Sequence, residues 1–205
     1  MELLETMRVE AGGEIRLLDR HLGRIAGSAQ YFGYGCDVGK LRREISAKAR
    51  AQGESVVFRL LLSRDGGFEI QVRPLPVERV ARLVLASIRV DSGDLMLRHK
   101  TTARDIYQRA KAGLGSDTDA ILVNGRGEAT ETSIANIGVL RRGKWVTPPV
   151  ACGLLPGTLR AELLEEGQIV EDVIPADELV AGEMVRCFNA VRGVFDVPFA
   201  DILAR

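Results

Sequence analysis

The stretch Leu97-Arg98-His99-Lys100-Thr101-Thr102-Ala103-Arg104 decides how the rest of the 205-residue chain is read. It follows an extended run, Arg82 to Val90, and precedes a helical pattern from about Thr102 to Leu114, so Lys100 sits at a strand-to-helix junction. A side chain at such a junction can be aimed into a cleft. Lysine is scarce: of 28 basic side chains only five are Lys, at 40, 48, 100, 111 and 144. Lys40 and Lys48 fall on the charged side of a helical pattern, Lys111 ends another, and Lys144 lies in an Arg-Arg-Gly-Lys turn. Those four read as solvated surface. A partly desolvated Lys100 is a candidate to lose its proton and attack a carbonyl, as a Schiff-base lysine does. The same stretch also fits a helix-capping loop with an exposed lysine, and residues elsewhere have to decide.

Bulk properties narrow the classes. The length suits one large domain or two small ones and can bury a core. Twenty-eight basic residues balance 28 acidic ones, so no basic field argues for nucleic acid. No apolar run approaches the ~20 residues needed to span a bilayer, and the acidic start Met-Glu-Leu-Leu-Glu is not a signal peptide. Cys36, Cys152 and Cys187 lack metal-ligand spacing and do not form a disulfide framework. With only His21 and His99, a His-rich metal site is not expected. A cytoplasmic soluble protein is expected, with no metal, no membrane and no nucleic acid, its difficult chemistry belonging to an organic cofactor.

Outward from Lys100, the chain divides near residue 92. Upstream, Leu3 to Val9 has strand character and Gly12-Gly13 turn it into Glu14 to Leu17. Leu18, Leu22, Ile25, Ala29 and Phe32 then form one helical stripe, with His21, Arg24 and Ser28 on the neighbouring face. Asp19 is the expected N-cap, and Gly33 and Gly35 end the helix. Val38, Leu41, Ile45 and Ala49 mark a second helix. Ser55 to Ser63 and Phe68 to Val72 form a hairpin across Arg64-Asp65-Gly66-Gly67, and Arg82 to Val90 is a further strand.

Downstream the pattern is mostly β. Ala120 to Val123 and Glu128 to Thr132 flank Asn124-Gly125, a hairpin signal. Asn136 to Leu140 and Trp145 to Thr147 follow. Gly153-Leu154-Leu155-Pro156-Gly157 opens a helix from about Thr158 to Glu166, and strands are expected at Ile169 to Ile174 and Glu183 to Phe188.

Three features stand beside Lys100. Glu131, between two strands in Thr130-Glu131-Thr132-Ser133-Ile134-Ala135-Asn136, can keep a heteroaromatic nitrogen protonated, although an ordinary charged strand end reads the same way. The Gly-rich opening of the helix at 153–160 offers unpaired N–H groups to a phosphate. Arg24 can clamp an anion bidentately. The chain carries no Gly-x-Gly-x-x-Gly after a strand, no Gly-Lys-Ser/Thr phosphate loop and no Gly-x-Ser-x-Gly.

In this order the segments resemble the class IV aminotransferases, the fold-type IV pyridoxal-phosphate enzymes. Leu4-Glu5-Thr6-Met7-Arg8 is similar to the family's Phe-Glu-Thr-x-Arg strand. His21-Leu22-Gly23-Arg24-Ile25 is similar to its His-Leu-x-Arg-Leu helix, and Arg98-His99-Lys100-Thr101-Thr102 to its cofactor-lysine segment. Thr130 to Asn136 resembles its Thr-Glu-x-x-x-x-Asn motif, and Gly153 to Arg160 its Gly-Leu-Leu-Pro-Gly-x-x-Arg loop. Glu183-Met184-Val185 with Asn189-Ala190 is similar to its late strand and turn.

The resemblance implies a two-domain α/β (α+β) fold, D-amino-acid aminotransferase-like, with a small α/β domain over 1–92 and a larger, β-rich cofactor-binding domain over 93–205. Because the family pattern begins with two further strands, it also implies an N-terminally shortened form. The implied cofactor is pyridoxal 5'-phosphate, set in a cleft between the domains. Lys100 would hold it and serve as acid and base, and its pKa is expected to be depressed. Glu131 would face the pyridine nitrogen, Asn136 would belong to the same motif, and Arg24 with the N–H groups of Thr158 and Leu159 would neutralise the phosphate. The wording is most similar to the aminodeoxychorismate lyase branch, which implies release of pyruvate and formation of 4-aminobenzoate for folate biosynthesis. An amino-acid aminotransferase of branched-chain or D-amino-acid type is the alternative, and a non-catalytic binding relative a third possibility. Either enzyme would act on a small-molecule amine and is expected as a homodimer.

Overall fold

Leu3, Glu5, Met7 and Val9 alternate along β1 (Leu3–Val9), and this alternation points them to one face of an antiparallel sheet, β1-β2-β3. β2 (Val56–Leu62) and β3 (Phe68–Pro74) complete that sheet. Two helices, α1 (Leu18–Phe32) and α2 (Val38–Arg50), contribute Leu22, Ile25, Ala29, Leu41, Ile45 and Ala49 to the core, which includes Leu3, Met7, Val9, Phe58 and Leu60. Each large buried side chain contributes about 1.5–3 kcal/mol relative to exposure. Gly33 ends α1 in the left-handed conformation, and Asp37 caps α2 by accepting the Lys40 N–H at 2.8 Å. Glu5 is the one charged residue on the inward face of β1.

The computed structural model describes residues 1–200, which fall into two units. The first comprises residues 1–77 and 99–103; the second comprises 78–98 and 104–200. The expected division at 92 therefore differs from the observed one. β4 (Arg82–Val90) pairs in parallel with β5 (Thr118–Asn124), which fixes it in the second unit. The crossover between them includes the short 3-10 turn Leu95–Arg98 and α3 (Asp105–Lys111), and of the six residues between these two elements His99–Ala103 belong to the first unit. Lys100 is the second residue of that excursion.

In the second unit the sheet order is β11-β10-β7-β6-β5-β4, using β6 (Ala129–Thr132), β7 (Asn136–Arg141), β10 (Met184–Asn189) and β11 (Gly193–Pro198). Leu83 bridges Phe199 in parallel, and the Ala200 N–H donates to the Leu83 carbonyl at 2.8 Å, so the two edges meet. β8 (Lys144–Thr147) pairs with β7 and with β9 (Ile169–Glu171). α4 (Thr158–Glu165) packs by Leu159 and Leu163. Among the described residues no helix is long and apolar enough to cross a membrane, and no cluster of metal-ligating side chains occurs.

Several local expectations shift. Residues 14–15 are irregular and 16–17 a turn instead of a returning strand, and Leu17, not Asp19, is the N-cap of α1; Asp19 lies in its first turn and pairs with Arg42. α3 begins at Asp105, later than expected, because Thr102 is still committed to an extended pairing with Glu2. The hairpin after β5 is longer than a two-residue turn: the Asn124 N–H bonds the Glu128 carbonyl, and Gly127 carries the positive φ. The strand expected at 169–174 ends at Glu171, and β11 was not anticipated.

Candidate active site

In the first unit, Glu5 reaches from β1 to the face of α1. Both of its oxygens accept from Arg24, Nε to Oε1 at 2.8 Å and Nη2 to Oε2 at 2.7 Å, and His21 Nδ1 lies 2.6 Å from Oε2. His21 and Arg24 are three apart on the helix, so they share the face over β1. Glu5 is 1% exposed. Burial alone would raise its pKa, but Arg24 and then His21 outweigh it and hold the carboxyl at about 2. Burial pushes His21 down despite the pull of Glu5, and the Arg24 and Lys100 charges lower it further. Near neutral pH a neutral His21 therefore donates Nδ1–H to an ionised Glu5. The arrangement fixes the guanidinium of Arg24 bidentately.

The Lys100 segment runs beside β1. The Leu4 N–H donates to the Lys100 carbonyl at 2.9 Å, Leu3 bridges Thr101, and the Thr102 N–H donates to the Glu2 carbonyl at 2.9 Å. His99 stacks on Tyr31 with centroids 4.6 Å apart, and its Nδ1 lies 2.9 Å from Ser28 Oγ. The backbone on both sides of Lys100 is thus pinned, and its own side chain is half-buried. Arg24 and Lys100, two of the six residues singled out in the sequence, lie in this unit.

The other four lie in the second unit. Glu131 on β6 is 4% exposed. Its Oε1 accepts from the Tyr107 hydroxyl at 2.8 Å and the Leu155 N–H at 3.1 Å, and its Oε2 from Asn136 Nδ2 at 3.2 Å. Asn136 faces Glu131 across the β6–β7 register and also donates to the Leu155 carbonyl at 2.9 Å. It ties the carboxylate to the Gly-rich loop. Burial, then Glu131, raises the Tyr107 phenol far above its ordinary value, so Tyr107 remains a neutral donor. Arg104 lies over the Tyr107 ring, 4.3 Å from its centroid.

Thr158 and Leu159, both buried, form the first turn of α4. The preceding residue, Gly157, provides no side-chain cap. The first intrahelical bond is the Ala161 N–H to the Gly157 carbonyl at 2.9 Å, so the N–H groups before it have no acceptor within the helix. Such a helix start favours an anion. A Cβ at Gly157 would lie 2.0 Å from Asn136 Oδ1, so only glycine fits. Gly157→Ala is expected to cost roughly 1–3 kcal/mol by overpacking and to weaken phosphate binding, measured by thermal melting and by titration with inorganic phosphate. Arg160, the last residue of the loop motif, is buried and donates to the Pro148 carbonyl at 2.8 Å and to Glu171, which makes it an anchor of α4.

Glu5, Tyr107 and Arg104 were missed as site residues. Only Glu5 left a signal, a charge on an otherwise apolar strand face. The donor set suits pyridoxal phosphate in kind: a lysine amine for the aldehyde, a buried carboxylate for the pyridine nitrogen, and a guanidinium with an uncapped helix start for the phosphate.

Residues 2–198 match the family described as amino-transferase class IV. A provisionally named aminodeoxychorismate lyase of Schizosaccharomyces pombe is 34% identical over 193 residues, covering 89% of this chain and 83% of that protein. The aminodeoxychorismate lyase of Saccharomyces cerevisiae is 28% identical over 184 residues, 66% of this chain, and the match spans 49% of the yeast protein. Among solved structures, a provisionally named amino-acid aminotransferase of Mesorhizobium loti superposes with a TM-score of 0.87 at 35% identity, covering 98% of this chain and 99% of that one. A 4-amino-4-deoxychorismate lyase from Pseudomonas aeruginosa shares the fold, with a TM-score of 0.83 at 23% identity over 98% of this chain and 83% of its own. The fold-type IV architecture and the family match agree: this chain belongs to the class IV amino-transferase family and is an enzyme of the pyridoxal-phosphate-dependent lyase or aminotransferase type.

Proposed function

We propose that the enzyme is a 4-amino-4-deoxychorismate lyase, converting its substrate to 4-aminobenzoate and pyruvate. The observation that carries this reading is the 34% identity, over 89% of the chain, to the Schizosaccharomyces pombe protein of that provisional name. When bound, the cofactor supplies an electron sink that stabilises the charge left by a broken bond next to the amine. Lys100 Nζ would hold the cofactor and, with substrate bound, would accept the proton from the carbon bearing the amine. The bond from the neighbouring ring carbon to the enolpyruvyl oxygen then breaks, the ring becomes aromatic, and a proton returned to the leaving group gives pyruvate. No oxidant and no amino acceptor enter the balance.

Glu131, its carboxylate oriented by Tyr107, the Leu155 N–H and Asn136, would keep the cofactor's ring nitrogen protonated. Arg24, held by Glu5, would serve the phosphate as a guanidinium partner, and the N–H groups of Thr158 and Leu159 would serve it as helix-start donors. The enzyme acts in the cytoplasm, in folate biosynthesis, as a homodimer; light scattering on the purified chain tests the oligomeric state.

The second reading is an amino-acid aminotransferase, favoured by the 35% identity to the Mesorhizobium loti structure over nearly the whole of both chains. Incubating the cofactor-loaded enzyme with aminodeoxychorismate, without an amino acceptor, separates the two. Catalytic release of pyruvate is the expected result. Absence of pyruvate, together with conversion of the cofactor to its amine form by an amino acid, would establish the transaminase instead.

A further inference from the structure

Asp119, the second residue of β5, is a buried carboxylate with only one of its oxygens satisfied. Oδ1 accepts the Ala120 N–H at 2.9 Å and the Ser133 hydroxyl at 2.6 Å. Oδ2 is buried without a hydrogen-bond partner. Its neighbour Cys187 gives no balancing charge, since burial and then the Asp119 charge push that thiol up to about 12. A half-satisfied buried carboxylate destabilises a fold, and an apolar residue at this strand position would avoid the cost. The arrangement becomes intelligible through Ser133.

Ser133 is buried and gripped at both ends. Its hydroxyl donates to Asp119, and its carbonyl accepts from Arg104 Nη2 at 2.5 Å. It stands in the turn between β6 and β7, where the Thr132 N–H donates to the Ala135 carbonyl at 2.8 Å and Thr132 Oγ1 accepts the Ala135 N–H at 3.1 Å. The two residues flanking that turn are Glu131 and Asn136. A hydroxyl-to-carboxylate bond is charge-assisted, shorter and stiffer than one to a neutral acceptor, which gives aspartate an advantage over asparagine here.

We infer that Asp119 is a positioning residue: through Ser133 it fixes the turn that carries Glu131 and Asn136, and so sets how firmly Glu131 meets the ring of the bound cofactor. The inference rests on the cofactor reading above and deepens it. Arg104 restrains the backbone of the same turn, and Asp119 supplies the side-chain half of the restraint.

The test uses the full-length enzyme, Asp119→Asn, Ser133→Ala and the double variant. Three quantities are measured: the melting temperature, the dissociation constant of pyridoxal phosphate from the apoprotein, and the pH midpoint at which the visible band of the bound cofactor titrates. Each single variant is expected to weaken cofactor binding roughly tenfold, the loss of one charged hydrogen bond. Each is also expected to move the pH midpoint. The double variant is expected to be no worse than the weaker single, because both remove one shared interaction. If Asp119→Asn does not fold, Ser133→Ala, which removes one hydroxyl, decides the question by the same two binding readouts. Unchanged affinity and midpoint with only a lower melting temperature would overturn the inference and leave Asp119 a brace of the fold; additive effects would overturn it as well. Failure of the wild-type chain to bind the cofactor would overturn the functional reading and this inference with it, whereas normal wild-type binding with unaffected variants would overturn the inference alone.

Discussion

Glu5→Gln is expected to destabilise the protein by about 3–5 kcal/mol, the usual cost of removing one partner from a buried ion pair. Glutamine keeps the shape but not the charge, so only one acceptor oxygen remains: the bidentate pair with Arg24 is broken, what is left of it is no longer charge-assisted, and His21 loses its ionised acceptor. Against a total stability of about 5–15 kcal/mol this is a large fraction. At roughly 2–4 °C per kcal/mol for a chain of this size, the melting temperature should fall by about 6–20 °C. The pH dependence has a definite sign. The folded-state pKa of Glu5 is lowered from 4.5 to about 2, so its contribution is fully present above the unfolded value and is lost as pH falls from about 4.5 toward 2. Wild type and Glu5→Gln should therefore differ most near neutral pH and converge in acid. Denaturant melts at several pH values measure this, and a difference that grows toward pH 2 would contradict it. Because Arg24 is the guanidinium proposed to bind the phosphate, phosphate affinity should fall as well.

Lys100→Ala is expected to lower turnover by at least ~10³-fold, since it removes both the covalent holder of the cofactor and the group that moves the proton. The main-chain bonds around position 100, from Leu4 to the Lys100 carbonyl and between Glu2 and Thr102, do not involve the side chain, so the variant should fold. Its melting temperature should stay near the wild-type value while the visible band of the bound cofactor disappears. Lys48→Ala, at an exposed position on α2, is the matching control and should change neither property.

Much of the fold was legible because its signals are local. The stripe Leu22, Ile25, Ala29 on α1 and the alternation on β1 give their periods directly, and the core contains those residues. β11 was missed because Gly193-Val194-Phe195-Asp196-Val197-Pro198 alternates only weakly and ends in proline. What makes it a strand is its register against β10, set by a tight turn in which Asn189 Oδ1 accepts the Val191 and Arg192 N–H groups. The division at 92 failed for a similar reason. Nothing local in Arg82 to Val90 shows that it pairs with β5, or that the next crossover visits the first unit around Lys100.

At the site, segments found by their resemblance to family motifs were legible, and contacts between distant segments were not. Glu5 was visible as part of a strand, but its partners His21 and Arg24 come from a helix 16 and 19 residues later. Tyr107 meets Glu131 across 24 residues and Ser133 meets Asp119 across 14, separations at which no sequence period exists. Asn136 and Arg160 show the complementary lesson. Both belong to quoted motifs, and both serve largely as anchors: Asn136 joins Glu131 to the Leu155 carbonyl, and Arg160 ties α4 to Pro148 and Glu171.

The central claim is that Lys100, and no other of the five lysines, holds pyridoxal phosphate. Borohydride reduction of the cofactor-loaded enzyme, followed by proteolysis and mass spectrometry of the peptides, tests it most directly. A single phosphopyridoxyl adduct is expected on the peptide containing Arg98-His99-Lys100, and none in Lys100→Ala. An adduct confined to Lys40, Lys48, Lys111 or Lys144, or no adduct on a protein saturated with the cofactor, would contradict it.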